Sequence, residues 1–168
     1  MRLPTFLSRR RIVLTLALLL LTGPAWADND EPARATLKGV APIRVVVGSI
    51  DADAEQDGLT AAQITTEVKV RLRQAGIKVA PQSQFWLYVL INNARQTAYP
   101  IYVYNASVRF EQPISVLSNP TKFICCGVTW SVGAIGTVGI SRFRDVQSAV
   151  NDLVDVFISA YLEQNPKP

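Results

Sequence analysis

The sequence predicts an α+β fold: a two-layer sandwich in which two helices pack on one face of a mixed, mostly antiparallel sheet. Short runs of β-branched and aromatic residues are typical of strands, and two longer stretches have the 3.6-residue periodicity of amphipathic helices. These segments follow one another in the order β-α-β-β-β-β-α. The composition agrees, because 168 residues with 49% hydrophobic and 18% charged side chains are typical of one globular domain.

The first 27 residues have the pattern of a cleaved signal peptide. Arginines at positions 2 and 9–11 precede an apolar run at 12–21, and Ala25-Trp26-Ala27 offers the small residues that a signal peptidase requires. An apolar run of this length is too short to span a bilayer, which takes about 20 residues. We therefore expect cleavage after Ala27 and no integral membrane segment in the mature chain.

The same leader indicates the compartment. Residues 8–13 (SRRRIV) also resemble a twin-arginine export signal, but the strongly apolar run at 16–21 favours the general secretion route. No cysteine lies near the cleavage site, so a lipid anchor is not expected there. The expected location is the bacterial periplasm.

Charge and composition exclude several function classes. The leader holds four of the 17 basic residues and none of the 13 acidic ones, so the mature chain is neutral and lacks the basic excess of a nucleic-acid-binding protein. The chain has no histidine, which removes histidine bases and histidine metal ligands. No cofactor is expected.

The first half of the mature chain predicts a β-α-β unit. Residues 28–42 are polar and lack periodicity, which indicates a flexible lead-in, and residues 43–50 (IRVVVGSI) predict a buried strand. Thr60 and Gln63 form a capping box for a helix that ends at Gly76, and residues 77–79 supply a second, parallel strand.

The second half predicts three further strands and a closing helix. Residues 85–91 (FWLYVLI), 101–108 and 123–132 have strand patterns, and the last helix runs from about 142 to 163 after Ser141 as its cap. The folded domain is therefore expected to span residues 43–165.

An acidic segment lies before the first long helix. Asp53, Glu55 and Asp57 match the first half of a calcium-binding loop, but Ile64 stands where that loop needs a bidentate glutamate. The pattern favours a solvated acidic loop at 51–58, and it leaves open whether residues 51–57 bind a cation.

Cys125 and Cys126 are candidate redox residues. Adjacent Cα atoms lie about 3.8 Å apart, whereas disulfides prefer about 4.4–6.8 Å, so two thiols are favoured over a strained vicinal disulfide. An intermolecular bridge through Cys125 is the third option. Strand alternation places Cys126 with Ile124, Val128 and Trp130 on the expected core face.

Two further patterns indicate a chemical role less specifically. The glycines at 133, 136 and 139 precede the last helix, as in an anion-binding loop, but without a phosphate-binding motif a mobile, membrane-facing or partner-facing loop is favoured. Asp145 and Asp152 lie on the polar face of that helix, where a hydrolase could use paired carboxylates but where charges are usually only solvated.

Aromatic residues indicate a recognition surface. The strand at 85–91 is apolar on both sides, while two helices can cover only one face of the sheet. Either the lead-in or sheet curvature covers the other face, or that face is an exposed patch for a partner, a lipid or a small ligand. The residues expected in such a patch are Trp86, Tyr88, Tyr99, Tyr102 and Tyr104.

An exported chain with IRVVVGSI, a helix ending RLRQAGIKV, then FWLYVLI and a closing VFISAYLEQNP resembles small bacterial envelope domains of the TolB amino-terminal or LptE type. The resemblance covers roughly residues 43–165 and implies a binding or scaffolding role. The sequence thus predicts a non-enzymatic periplasmic accessory protein that binds an envelope protein or lipid. The alternatives are a carrier of a small apolar ligand and a hydrolase using Asp/Glu or Cys; the oligomeric state is left open.

Overall fold

The computed structural model describes residues 30–166 except residues 97 and 143. For residues 123 and 125 it describes the backbone and not the side chains. The expected signal peptide therefore lies outside the described residues. The described chain has an α+β fold, which confirms the predicted class. Its elements, in chain order, are α1 (Glu31–Ala35), β1 (Arg44–Val47), α2 (Ala52–Gln56), α3 (Ala61–Gln74), β2 (Trp86–Arg95), β3 (Ile101–Val116), β4 (Asn119–Gly139), a 3-10 turn (Ile140–Arg142) and α4 (Arg144–Gln164).

The sheet has the spatial order β1-β2-β3-β4. β1 pairs with β2 in parallel, and the other two pairs are antiparallel. An isolated parallel bridge between Ile43 and Val79 adds the short segment predicted at 77–79 to the outer side of β1. The β-α-β start therefore exists as the sequence predicts, because α3 is long enough to return the chain across the sheet.

The two long helices form the second layer. Thr60 caps α3, accepting a hydrogen bond from the backbone N–H of Gln63 at 3.3 Å, and Gly76 ends the helix with a positive φ of 85°. Ile64, Val68 and Leu72 are buried from this helix. From α4, seven side chains are buried: Val146, Val150, Leu153, Val154, Phe157, Ala160 and Tyr161.

Charged groups connect the two helices across the solvent side. The side chain of Arg71 lies 2.8 Å from Asp155, and the amide of Asn151 donates to Glu67 at 3.1 Å. The spacing of Glu67 and Arg71 suits a pair within α3. Each of them instead bonds across to α4, so these groups help to fix the crossing of the two helices.

The segment predicted as a flexible lead-in is folded over its described part, so that prediction is wrong there. Asp30 caps α1, accepting from the N–H of Ala33 at 3.0 Å. Beyond the helix, Leu37 and Val40 are buried in the core. Only two apolar side chains are involved, which is too few to produce a readable period in the sequence.

The glycine-rich segment before the last helix is also not a loop. Residues 133–139 belong to β4 and pair with β3. Gly136 lies opposite Tyr104, and a Cβ atom at this position would stand 2.7 Å from the tyrosine hydroxyl. Glycine here makes room for a bulky neighbour, which is a packing reason for a pattern that otherwise suggests mobility.

Candidate functional site: the open face of the sheet

Strand register divides the sheet into two faces of different character. Side chains paired directly across antiparallel strands lie on the same face. The covered face packs on the helices and contributes Leu87, Val89, Ile91, Tyr102, Ala106, Val108, Phe110, Trp130, Val132 and Val138 to the buried core. The opposite face, called here the open face, carries Arg44, Val46, Trp86, Tyr88, Leu90, Val103, Asn105, Ser107, Arg109, Glu111, Ser131, Gly133, Ile135 and Thr137.

The interior between the sheet and α4 is filled by aromatic rings. The ring of Phe157 lies 5.3 Å from Trp130, edge to face, and 5.8 Å from Phe110, centroid to centroid. Trp130, Phe110 and Phe157 are almost completely buried. The carrier alternative needs free volume between the layers, and these contacts occupy that volume around Phe157.

Trp86 forms the best-defined part of the open face. Its indole Nε1–H donates to the carbonyl oxygen of Ser83 at 3.0 Å, and the guanidinium of Arg44 lies over the ring at 5.2 Å. The hydrogen bond to Ser83 holds the edge of the ring, and the guanidinium of Arg44 contacts its face. The ring is therefore held in place, although it remains half-buried.

Tyr88 and Leu90 continue the apolar row along β2 at the same half-buried level. Gly48 lies beside them directly after β1, where a Cβ atom would come within 3.1 Å of Leu90 and 3.3 Å of the Tyr88 hydroxyl. The absence of a side chain at Gly48 leaves space for these two. On the β1 side, the row Trp86-Tyr88-Leu90 is thus flanked by Arg44, Val46 and Gly48.

Exposed aliphatic side chains extend the open face toward β4. Ile135 is 77% exposed and Val103 is 37% exposed, and they occupy neighbouring pairs on the same face of the β3–β4 ladder. Val128, opposite Glu111, is 52% exposed. Charged and polar groups separate these residues from the aromatic row, so the face is mixed, as in transient protein interfaces.

The five aromatic residues predicted as one surface are divided by the structure. Trp86 and Tyr88 lie on the open face, whereas Tyr102 and Tyr104 pair with Arg95 and Asn93 on the covered side. Tyr99 lies in the turn between β2 and β3 and is 69% exposed. A single surface formed by all five is therefore wrong. Alternation shows which residues of one strand share a face, but the pairing register decides which faces coincide.

Tyr102 has a structural environment of its own. Its ring is fully buried, and its hydroxyl donates to the Asp57 carboxylate at 3.0 Å. Burial, and then this hydrogen bond and the charge of Asp57, raise the pKa of the Tyr102 hydroxyl above 10.0. Arg95 lies over the ring at 6.0 Å. The Asp57 carboxylate of the acidic segment thus accepts a hydrogen bond from a buried core residue.

The acidic segment is a helix over much of its length, which corrects the predicted loop. Asp51 caps α2 by accepting from the N–H of Asp53 at 3.0 Å, and Ala54 is buried beneath it. Asp57 follows as the C-terminal cap of this helix. Over the described part of the chain, no cluster of three or more Cys, Asp or Glu side chains is placed to hold a metal ion.

The cysteine segment lies where β3 and β4 extend beyond β2. Cys126 is half-buried, but Ile124 and Val128 are 39% and 52% exposed while Trp130 is buried. The prediction that all four share the core face is therefore wrong. Register shifts near Glu111 and Gln112 interrupt the alternation between Ile124 and Trp130. The redox roles of Cys125 and Cys126 stay predictions.

The candidate carboxylates of α4 do not converge on one point. Asp145 pairs with Arg142 at 2.8 Å. Asp152 lies further along α4 and lines a shallow surface cleft of about 340 Å³ with Asp155 and Glu163, which are bonded to Arg71 and Arg34. The hydrolase alternative stays a prediction without a defined acid–base pair.

No protein-family model matches the chain, and no curated protein matches it. Among solved structures, the chain is similar to the PelC dodecamer from Paraburkholderia phytofirmans, in a variant crystallised in space group C2 and in a second structure in space group P6. The identities are 16% and 14% and the TM-scores 0.43 and 0.42, and each alignment covers 80% of this chain and 95% of PelC. The resemblance to TolB amino-terminal and LptE domains stays a prediction.

No helix that the structure describes within residues 30–166 is both long and apolar enough to cross a membrane.

Proposed function

We propose that the protein is a non-enzymatic accessory protein of the bacterial cell envelope that acts in the periplasm by binding a partner protein through the open face of its sheet. The leader-like pattern of residues 1–27 supports the location. The single observation that supports binding is the open face itself, where an ordered tryptophan and exposed aliphatic groups share one side of the sheet.

The composition of the face favours a protein partner over a lipid. Trp86 and Tyr88 combine apolar area with polar atoms, and Tyr and Trp are enriched in protein–protein interfaces. Arg109 and Glu111 lie opposite Tyr88 and Trp86 on β3, so the apolar row is bordered by charged groups on that side. A protein surface can pair such charges by hydrogen bonds, whereas acyl chains cannot.

In-cell photo-crosslinking tests the proposal. A photoreactive amino acid replaces Ile135 on the open face and, as the matched control, Val70, an aliphatic residue of α3 that is 43% exposed. We expect a discrete crosslinked protein, identified by mass spectrometry, from position 135 and none from position 70. The adduct should be lost when Trp86→Ala is added. Equal adducts from both positions, or none from position 135, would contradict the proposed surface.

Location is tested separately by fractionation. We expect the protein in the periplasmic fraction with an amino terminus at Asp28, as determined by intact mass. A full-length chain in the cytosol would overturn the envelope assignment. The crosslinking result would still measure whether the open face binds.

A further inference from the structure

Three cations line one cleft beside the edge of the sheet. Arg44, Lys69 and Arg73 surround a space of about 430 Å³ whose apolar wall includes Val45, Val79 and Pro81. The cleft lies where α3 packs against β1 and where the Ile43–Val79 bridge adds the outermost strand segment. Its volume falls within the range of about 300–1,000 Å³ that is usual for small-ligand sites.

The charges of this cleft are not balanced by neighbouring carboxylates. None of the residues that line it is Asp or Glu. Within the described residues, Arg44, Lys69 and Arg73 form no ion pair, whereas Arg71 on the same helix pairs with Asp155 at 2.8 Å. Helix α3 thus uses one arginine to hold α4 and directs two other cations to the cleft.

This arrangement works against helix stability. Lys69 and Arg73 are four residues apart, so they are neighbours on the surface of α3, where like charges repel. An anion between them would offset the repulsion. Arg44 approaches from the sheet, where its contact with the Trp86 ring limits the positions of the guanidinium. Residues with cationic side chains from β1 and α3 therefore line a single space.

We propose that this cleft binds a phosphate group carried by a ligand with a small apolar portion. Three positive charges suit a dianion better than a single carboxylate, and guanidinium groups bind phosphate oxygens in a bidentate manner. The apolar portion would lie against Val45, Val79 and Pro81. The phosphate belongs to a soluble phosphoester or to a lipid headgroup. The site is independent of the proposed partner surface, apart from the shared neighbour Arg44.

Titration with inorganic phosphate at low ionic strength, followed by backbone amide chemical shifts, tests the site. We expect saturable shifts in the segments around Lys69 and Val79. The double variant Lys69→Gln/Arg73→Gln should weaken binding at least about tenfold, since charged hydrogen bonds dominate such sites. Gln retains helix propensity at both positions. The matched control is Lys38→Gln/Lys122→Gln, which removes the same charge from exposed positions elsewhere; it should bind phosphate like the unsubstituted protein.

Vesicle flotation distinguishes the two sources. Binding to vesicles that contain phosphatidic acid, whose phosphomonoester can carry two negative charges, but not to phosphatidylcholine vesicles, lost in the Lys69→Gln/Arg73→Gln variant, would assign a lipid headgroup. Phosphate binding without flotation would assign a soluble phosphoester. The proposal is overturned if neither probe binds, or if the control variant loses as much affinity as the cleft variant. Crosslinking through Ile135 does not depend on these substitutions, so failure of this site leaves the open face to its own test.

Discussion

The two faces of one sheet differ in what fixes their side chains. On the covered face, Trp130 and Phe110 are held by dense packing against Phe157 of α4. On the open face, Trp86 is held by one hydrogen bond and one cation. Dense packing stabilises the fold, whereas a few directional contacts keep a half-exposed ring in a defined position. Under the proposed function, stability and recognition belong to opposite faces of a single layer, and substitutions can address them independently.

The largest effect is expected on the covered face. Replacing Trp130 with Ala should lower the free energy of unfolding by about 3–5 kcal/mol, because a large buried ring is removed and a cavity remains beside Phe157. Urea denaturation followed by circular dichroism measures the change. A loss under about 1 kcal/mol would show that the interior around Phe157 is loosely packed, contrary to the structure.

Trp86 is the tryptophan of the open face, and its loss should destabilise the fold less than the loss of Trp130. Trp86→Ala removes a half-buried ring, its contact with Arg44 and the hydrogen bond to Ser83, which together contribute about 1–2 kcal/mol. The same denaturation experiment applies. The comparison between the faces fails if Trp86→Ala destabilises the protein as much as Trp130→Ala does.

A smaller, pH-dependent effect is expected at Tyr102. Tyr102→Phe removes the hydrogen bond to Asp57 and should cost about 1 kcal/mol near neutral pH. The pKa of the Tyr102 hydroxyl is raised in the folded protein, so the folded state retains a proton that the unfolded chain loses above pH 10.0. The stabilisation from this proton is complete below that pH and is lost as the pH rises through the folded-state pKa.

Urea denaturation at a series of pH values from 8 to 12 measures this dependence. The unsubstituted protein should lose stability as the pH rises above about 10, the pKa of an unperturbed tyrosine. The Tyr102→Phe variant should lose less stability over the same interval. Tyr161, whose pKa burial also raises, remains in both proteins and supplies a common background. Parallel curves for the two proteins would contradict the environment assigned to Tyr102.

The smallest effect on stability is expected at Ile135. This side chain is 77% exposed, so Ile135→Ser should change the free energy of unfolding by no more than about 0.5 kcal/mol. Partner binding should weaken nonetheless if the open face is the interaction surface. Denaturation and a binding assay with the crosslinked protein measure the two effects. A marked loss of stability would show that the open face contributes to the core.

Local patterns allowed prediction of the regular elements, and long-range pairing decided the rest. The capping box at Thr60, the stripe of α3 and the broad apolar side of α4 depend on neighbouring residues, so they could be predicted. The burial of Tyr102 depends on its register with Arg95 across a turn, which no local pattern specifies. Residues 133–139 were misassigned because Gly136 makes room for Tyr104 on the neighbouring strand, a contact that no local pattern reveals.

The cleft at Arg44, Lys69 and Arg73 could not be found in the same way. Arg44 is distant in sequence from Lys69 and Arg73, and without the four arginines of the expected leader the chain has no net charge. A net charge of zero for the whole chain does not reveal a local excess of positive charge. The i, i+4 spacing of Lys69 and Arg73 was readable, but its meaning depends on Arg44 and the edge of the sheet.

β4 is the outermost strand of the described sheet beyond β3, and its length has a consequence for self-association. An edge strand of 21 residues is long enough to template the addition of strands from other molecules, and near its middle Thr36 donates a hydrogen bond to the backbone oxygen of Thr129 at 3.4 Å. Register shifts near Glu111 and Gln112 break this edge, and Pro120 and Lys122 lie toward its outer end. An incoming strand therefore meets an uninterrupted ladder only along residues 130–139, so the irregular half of β4 is a poor template for strand addition.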